Sequence, residues 1–384
     1  MWTIARVLRR GLLFAVIGVL LFTGCLPYSC RQEPNQALFP SDSLSRRVAQ
    51  GTPADTLQPV WAASGTSKRS LAYPRTVRFL ADGRIAASDA RRNSLFFFDS
   101  TGTVQRELAD TAFAVPYLIG VRNDERNSEG GRDDTLVVFN AETNRIDFVT
   151  SGGRHPERTR TYERPAPGTL VYLLATDTSL YAKAVGRETG ASLAQLDEAG
   201  RPTGQVELDG PYWQHAGFLR ASGDSLLSLS GFRPVVHRLP RAFSRATQPD
   251  SLSLVGFDSP MLDRSYAYAQ GDISKPPLLT ASAAPVGDTL FVLNLRPGWV
   301  QIDAYDSSGR LLRRLVERHG VGNSDFYPVD LDARRTNEGY EFAVAVRSPT
   351  PQVELFRWHP AQTERASVAA SSTPGRPAER SALP

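Results

Sequence analysis

The chain has 384 residues, of which 41% are hydrophobic and 22% are charged, a composition that is ordinary for a globular protein with a large core. Its 44 basic and 40 acidic residues give a formal charge of +4, but Arg6, Arg9 and Arg10 lie in an N-terminal segment that we predict to be removed. The mature chain is then close to neutral, which does not support binding of polyanions through overall charge.

The N-terminus has the pattern of an export signal. A basic stretch, residues 6–10, precedes an unbroken apolar run over residues 11–22 and then Thr23-Gly24-Cys25. A run of about a dozen residues is shorter than the roughly 20 that a membrane-spanning helix needs, which favours a cleaved signal. The stretch resembles a bacterial lipoprotein signal, which implies that residues 1–24 are removed and that Cys25 is diacylated as the new N-terminus. The alternative is a conventional signal peptide with an incidental cysteine.

Two segments have the composition of flexible chain. Residues 25–55 are rich in Pro, Ser, Gln and Arg and show no sustained periodicity, so we predict a flexible tether. Residues 361–384 are rich in Ala, Ser, Pro and Arg, and we predict a disordered C-terminal tail. Cys30 is the only cysteine besides Cys25. If Cys25 carries a lipid, Cys30 has no partner for a disulfide.

Between these segments, a pair of apolar runs joined by a tight turn recurs six times. The turns are built from Asp, Glu, Gly, Ser and Thr, which favour hairpin connections. They are Asp82-Gly83, Asp134-Thr135, Asp177-Thr178, Asp224-Ser225, Asp288-Thr289 and Glu338-Gly339. A repeat of about 50 residues leaves room for four short strands. In four units a second turn follows, as in Asp99-Ser100-Thr101-Gly102.

Six units of four antiparallel strands predict an all-β protein, a six-bladed β-propeller over residues 56–360. A pair of β-sandwiches is the alternative, but it does not account for the equal internal spacing. A propeller also needs ring closure. The segment Leu57–Ala62 precedes Tyr73-Pro74 in the way that a fourth-strand segment at Leu315-Val316 precedes Tyr327-Pro328. We therefore predict that Leu57–Ala62 supplies the fourth strand of the last blade.

The first unit carries landmarks of a known repeat. Residues 73–108 contain Tyr-Pro, Asp-Gly, Ser-Asp, Phe-Phe-Asp and Thr-Gly in order, and the stretch resembles an NHL repeat; residues 320–331 resemble the opening of another. The chain as a whole resembles bacterial six-bladed propeller lipoproteins related to NHL-repeat proteins. This resemblance implies the fold more than the function, because the family includes binders of protein, RNA and glycans as well as a few enzymes.

Motifs for catalysis or metal binding are not evident in the sequence. The five histidines are His155, His215, His237, His319 and His359, and no two have metal-ligand spacing. There is no nucleophile elbow, P-loop or dinucleotide fingerprint. Propeller lactonases, by resemblance, hold a central metal with carboxylates and amides from first strands, and here the predicted first strands offer only Asp330. We predict no catalytic residue, no metal and no cofactor.

Arginine and aromatic residues recur on one predicted face. Loops between second and third strands emerge on the same side as the links between blades, which we call the upper face. Each such loop contains arginine, and the links contribute aromatic residues. The candidate binding face consists of Arg91, Arg92, Arg145, Arg187, Arg233, Arg296, Arg347, Tyr73, Tyr117, Tyr172, Tyr212, Trp213 and Tyr327.

Guanidinium groups suit carboxylate, sulfate or phosphate, and aromatic rings stack on sugars or bases. Two alternatives to a functional face remain open. Arginine is common enough in this chain to fall in these loops by chance, and the aromatic residues can serve packing between blades. Asp89, Glu142 and Glu188 also neutralise part of the face.

The sequence favours a non-catalytic cell-envelope lipoprotein. We expect its propeller face to bind a macromolecular partner, such as a protein, or an anionic glycan; nucleic acid is not expected. We expect the body to lie in the periplasm or at the cell surface, held to a bacterial membrane by a lipid on Cys25. The alternatives are an extracytoplasmic hydrolase or lyase acting in the central funnel, and a purely structural envelope component.

Overall fold

Six blades, each with four antiparallel strands, surround a central axis, as the predicted six-bladed β-propeller requires. The computed structural model describes residues 42–66, 69–123, 134–197, 199–244, 247–296, 298–318 and 326–360. The predicted signal, with Cys25, the tether up to residue 41 and the predicted tail at 361–384 lie outside these residues. Within the described ranges, no helix is both long and apolar enough to cross a membrane.

The elements follow the chain in blade order. It enters through helix α1 (Asp42–Gly51), β1 (Ala54–Thr56) and β2 (Gln58–Ala63). Blade 1 is β3 (Pro74–Phe79), β4 (Ile85–Asp89), β5 (Ser94–Phe98) and β6 (Val104–Ala109); blade 2 is β7 (Pro116–Asn123), β8 (Asp134–Asn140), β9 (Arg145–Thr150) and β10 (Arg158–Thr161). Blade 3 is β11 (Leu170–Ala175), β12 (Leu180–Gly186), β13 (Gly190–Leu196) and β14 (Pro202–Glu207); blade 4 is β15 (Leu219–Ser222), β16 (Ser225–Leu229), β17 (Val235–Pro240) and β18 (Asp250–Ser253). Blade 5 is β19 (Thr280–Val286), β20 (Thr289–Arg296), β21 (Trp299–Tyr305) and β22 (Leu311–Arg318); blade 6 contains β23 (Tyr327–Arg335), β24 (Tyr340–Ser348) and β25 (Gln352–Trp358). A 3₁₀ helix (Tyr212–His215) and helix α2 (Leu262–Gln270) occupy the links after blades 3 and 4.

The first strand of each blade lies nearest the axis. Strand β3 contacts β7 on one side and β23 on the other, and the contacts continue through β11, β15 and β19. The inner strands therefore form a closed ring around a central channel. Each begins at the upper face, where the links between blades arrive.

The predicted ring closure is confirmed. Strand β2 pairs antiparallel with β25, with Ala62 opposite Glu354 and Trp61 opposite Leu355. The Trp61 ring stacks on Phe98 of blade 1 at 5.9 Å between centroids, and its Nε1 donates to the carbonyl of Ser100. The N-terminal strand thus completes blade 6 and also packs against blade 1.

The folded body begins earlier than residue 56, where the sequence placed its start. Helix α1 buries Ser45 and Val48 against blades 4 and 5, and Ser45 Oγ accepts a hydrogen bond from the Gly256 N–H at 2.9 Å. Strand β1 adds parallel to β22 as a fifth strand of blade 5. Few apolar residues mark the inner side of α1, so the composition of this segment is that of a tether although part of it is folded.

Blades are joined by apolar cores between neighbouring sheets. Phe96 and Phe98 point into the cluster shared with blade 6, whereas Phe97 points into the cluster shared with blade 2. This explains the continuous apolar runs of the sequence, because a strand buried on both faces has no polar alternation. The predicted second turns form as well: Gly102 and Gly309 have φ of 82° and 81°, and the Asp99 side chain accepts the N–H groups of Thr101 and Thr103.

Candidate functional site

A cavity of about 370 Å³ lies at the centre of the ring. Its wall comes mainly from the innermost strands and includes Arg75, Thr76 and Arg78 of β3, Tyr117 to Ile119 of β7, Leu170 to Leu173 of β11, Phe218 and Arg220 in and next to β15, Thr280 to Ser282 of β19, and Tyr327 to Val329 of β23. Residues following second strands also reach it, among them Ala141 and Phe232. The cavity is therefore the upper end of the central channel.

Part of the predicted binding face meets at this cavity. Arg347, Tyr117, Tyr172 and Tyr327 line it. Tyr73 lies directly beside Arg347, which donates a hydrogen bond to its hydroxyl at 2.8 Å. These residues come from blades 2, 3 and 6 and from the link that enters blade 1, so the structure brings them together from distant parts of the sequence.

The other predicted arginines do not line the cavity. Arg145 pairs with Asp147 at 3.0 Å, and Arg296 pairs with Asp258 at 2.9 Å. Arg233 donates to the side-chain carbonyl of Gln214. Three more are exposed on loops of the upper face: Arg91, Arg92 and Arg187. The loop arginines consequently do not converge on one point.

Tyr212 and Trp213 belong to the 3₁₀ helix and contribute to packing. The Trp213 ring meets Tyr268 of α2 edge to face at 4.7 Å between centroids, and Phe232 at 6.4 Å. Tyr212 packs against an apolar cluster that contains Val185. Both residues thereby fix the link between blades 3 and 4.

An ion-pair cluster forms the floor of the cavity. Asp330 on β23 accepts hydrogen bonds from the guanidinium groups of Arg78 at 2.6 Å and Arg220 at 2.7 Å. It also accepts from Ser282 Oγ at 2.6 Å and the Val77 N–H at 3.0 Å. Asp330 is the one inward carboxylate that the sequence indicates, and here it is fully buried and satisfied by protein donors.

Burial and charge act against each other in this floor cluster. Burial favours the neutral form of Asp330, but Arg78 and Arg220 outweigh it and lower the pKa of the carboxyl. Burial alone would lower the pKa of Arg78, but the charges of Asp330 and Asp332 outweigh it and raise that pKa. At Arg220, burial and repulsion from Arg78 prevail and lower the pKa to about 10. The three side chains are therefore ionised at neutral pH.

Two further arginines form the rim. The Arg75 guanidinium lies over the rings of Tyr73 and Tyr117, 4.4 and 5.5 Å from their centroids. Arg347 lies over Tyr327 and Tyr73 at 4.2 and 5.2 Å. Such stacking positions a guanidinium without neutralising its charge. The buried Nε of Arg75 has no hydrogen-bond partner.

The lining as a whole is cationic. It contains five arginines, and within the described chain no carboxylate lines it. The five are Arg75, Arg78, Arg164, Arg220 and Arg347. Arg164 donates hydrogen bonds to the side chain of Asn144 and to the carbonyl of Ala141. Asp330 pairs with two of the five from below but supplies a single negative charge, so the lining carries a surplus of positive charge.

A second group of titratable residues lies behind the wall, between blades 3 and 4. Lys183 is fully buried and donates to Ser228 Oγ at 3.1 Å and to the carbonyl of Leu229 at 2.9 Å. Burial lowers its pKa well below the ordinary value. The rings of His215 and His237 lie 5.1 Å apart, and burial, followed by the nearby His215, Lys183 and Arg233, lowers the pKa of His237 to about 4.

The cavity arginines other than Arg347 are not among the residues predicted from sequence. Arg75, Arg78 and Arg220 lie on inner strands, whereas the predicted arginines were those of the loops after second strands. Basic residues in the predicted first strand of a unit are the sequence feature that would have indicated the cavity arginines. In the described part of the chain, no three His, Cys, Asp or Glu side chains are grouped so that they could hold a metal ion.

Comparisons with known proteins leave the family open. No protein-family model matches the chain, and no curated protein matches it. Among solved structures, a catalytically inactive virginiamycin B lyase from Staphylococcus aureus with quinupristin is 14% identical, with a TM-score of 0.43, covering 74% of this chain and 80% of that one. A streptogramin B lyase is 11% identical, with a TM-score of 0.48 and coverage of 77% and 96%. A putative exported protein from Bacteroides fragilis is 11% identical, with a TM-score of 0.48 and coverage of 79% and 94%.

Proposed function

We propose that this protein is a non-catalytic binding protein that takes an anionic ligand into the upper end of its propeller channel. The observation that carries the proposal is a cavity of about 370 Å³ lined by five arginines, with no lining carboxylate among the described residues. Arginine keeps its charge at all physiological pH values and offers a planar fork of donors that matches carboxylate, sulfate and phosphate.

The chemistry of the lining favours binding over turnover. General acid–base catalysis needs a group whose pKa lies near the working pH. The ionisable side chains on the described cavity wall are arginines and tyrosines, and burial raises the pKa of Tyr172 to about 12. These groups recognise charge and shape but are poorly suited to moving a proton at neutral pH. A hydrolase or lyase, the alternative, would need such a proton-transferring group.

We also propose that the protein is displayed outside the cytoplasm on a lipid anchor. The support is the apolar run at residues 11–22 that ends in Thr23-Gly24-Cys25. Two acyl chains on one cysteine suffice for stable attachment, whereas one is marginal. The propeller would then present its cavity to ligands in the periplasm or at the cell surface.

Calorimetric titration of the purified protein tests the binding proposal. The panel pairs anions with neutral counterparts: decanoate with decanol, a uronate oligosaccharide with its neutral analogue, and an organic sulfate with the parent alcohol. We expect one anion to bind with 1:1 stoichiometry and its neutral counterpart about tenfold or more weakly, since each hydrogen bond to a charged group contributes about 1.5–3 kcal/mol. Mass spectrometry of the ligand after incubation should show it unchanged.

Arg347→Gln and Arg187→Gln provide the matched pair of variants. Both remove one of the arginines predicted for the upper face, but only Arg347 lines the cavity. We expect Arg347→Gln to lose most of the anion affinity and Arg187→Gln to retain it. Equal binding of anions and neutral counterparts, or an unchanged affinity in Arg347→Gln, would contradict binding in the cavity, and consumption of the ligand would contradict its non-catalytic character.

A further inference from the structure

The cavity has a charged side and an apolar side. The closed order of the inner strands places blades 6 and 1 across the channel from blades 3 and 4. Arg347 belongs to blade 6 and Arg75 to blade 1, whereas the facing wall presents Leu170 and Leu173 of blade 3 and Phe218 and Phe232 of blade 4. That wall also carries Arg220, which pairs with Asp330, and Arg164, which donates to Asn144 and to the carbonyl of Ala141. A ligand that fills the cavity therefore meets two arginines without a carboxylate partner at one end and a largely apolar wall at the other.

The two rim arginines are available to an anion. Both guanidinium carbons lie near the Tyr73 ring, 4.4 and 5.2 Å from its centroid, so the two charges are less than about 10 Å apart. In the described chain, neither is paired with a carboxylate, in contrast to Arg78 and Arg220 on the floor. Two neighbouring cations repel each other, and an anion between them would relieve that repulsion.

The opposite wall is suited to hydrocarbon rather than to hydroxyl groups. Leu170 stands at the mouth with 56% of its surface exposed, more than any other large hydrophobic side chain in the described residues. The serine and threonine hydroxyl groups in the lining are already engaged: Thr76 with Ser88 and the Leu118 N–H, Thr280 with a backbone carbonyl, and Ser282 with Asp330. The other hydroxyl groups of the lining are the phenols of Tyr117, Tyr172 and Tyr327. A glycan would bring many hydroxyl groups here, and each costs free energy if it is buried without a partner.

We propose that the ligand is an amphipathic acid. Its single carboxylate, sulfonate or phosphate group lies between Arg75 and Arg347, and its aliphatic or aromatic body lies against the wall of blades 3 and 4. This proposal rests on the proposed function, which requires only that an anion binds in the cavity. It commits to a small molecule that fits within about 370 Å³, a volume in the range of pockets for drug-sized ligands.

Displacement of anilinonaphthalene sulfonate provides the test, because this probe is itself an aromatic acid that becomes fluorescent in apolar sites. The protein is used as the Cys25→Ser variant, so that no detergent competes for the cavity. The competitors are decanoate, decanol, glucuronate and vesicles of phosphatidylglycerol. We expect decanoate to displace the probe at concentrations about tenfold or more below those of decanol or glucuronate, and vesicles to have no effect.

The variants separate the two ends of the ligand. Arg75→Gln and Arg347→Gln should each lower the affinity for decanoate about tenfold or more and leave the weak affinity for decanol unchanged. Leu170→Asn should weaken both decanoate and decanol, because it changes the apolar wall only. Arg187→Gln serves as the control for a lost surface arginine and should behave like the parent protein. Melting temperatures within a few degrees of the parent establish that each variant is folded.

The outcomes distinguish this inference from the proposed function. If glucuronate displaces the probe as well as decanoate and depends on the rim arginines, an anion site exists but the amphipathic acid is wrong. If no anion in the panel binds, or if binding ignores Arg75 and Arg347, both proposals fail. If vesicles displace the probe through these arginines while decanoate does not, the ligand is a membrane surface and the inference is overturned.

Discussion

Asp330 and Arg220 form an ion pair at 2.7 Å across the channel, although they belong to blades 6 and 4. The same carboxylate binds Arg78 of blade 1 at 2.6 Å. One acidic residue thus connects three inner strands that are not all neighbours in the ring. Its side chain is fully buried, and the two arginine side chains are at most 11% exposed.

Asp330→Asn should strongly destabilise the propeller. The amide keeps the size of the side chain but removes the carboxylate charge that pairs with two buried guanidinium groups, and breaking a buried pair in this way costs about 3–5 kcal/mol of unfolding free energy. Urea unfolding of the variant measures the loss. The control is Asp82→Asn, which removes the partner of Arg84 in a partly exposed pair and should change the free energy by less than about 1 kcal/mol.

A second variant shows that the loss arises from uncompensated charge. Adding Arg220→Gln to Asp330→Asn removes one of the two orphaned cations, so the double variant should be more stable than Asp330→Asn alone. Residues in direct contact are expected to show such non-additivity. A double variant that loses the sum of both single effects would mean that Asp330 acts through packing.

The fold could be predicted from the sequence more completely than the cavity. Turn residues such as Asp99 and Gly102 act locally, so the blade count and the closing strand were readable from the sequence. Arg75 and Arg78 are three residues apart, and regular alternation would place them on opposite faces of β3. A register irregularity between Pro74 and Thr76 shifts the alternation, and both line the cavity.

The partners of Asp330 could not be inferred from the sequence for a different reason. Its inward position was expected, but Arg78 is 252 residues away and Arg220 is 110 residues away. No local pattern records a contact over such separations. Helix α1 was missed on similar grounds, since Ser45 and Val48 become an inner face only when blades 4 and 5 are present to receive them.

Deletion of residues 56–62 should lower the melting temperature of the whole protein. The deletion removes most of β2, leaves the edge of β25 unpaired and removes Trp61 from its contact with Phe98. Since the inner strands form one closed ring, an open last blade weakens more than the blade itself. Truncation after residue 360 is the control and should leave melting unchanged. Equal melting of the two shortened proteins would show that β2 is not needed to close the ring.

Cys25→Ser should release the protein from membranes. The hydroxyl of serine cannot form the thioether to the lipid, so the variant lacks the proposed anchor. Fractionation of cells with immunodetection measures the change, and mass spectrometry of the mature N-terminus measures the lipid. Cys30→Ser is the matched control and should stay with the membrane fraction. An unlipidated wild-type protein that fractionates like Cys25→Ser would show that the signal is conventional.

Stability should fall as the pH is lowered from about 6.5 towards 4, and His237 should account for part of the loss. Burial, followed by His215, Lys183 and Arg233, lowers the pKa of His237 to about 4, against about 6.5 in an unfolded chain. The unfolded state therefore binds more protons over this interval, so the contribution is fully present above about 6.5 and is lost on acidification. The urea midpoint of the parent should fall between about pH 7 and about pH 4.5. The midpoint of His237→Asn should fall less over the same interval. His359→Asn, which alters a histidine outside this cluster, should reproduce the parental pH dependence; if His237→Asn does so too, His237 is not responsible.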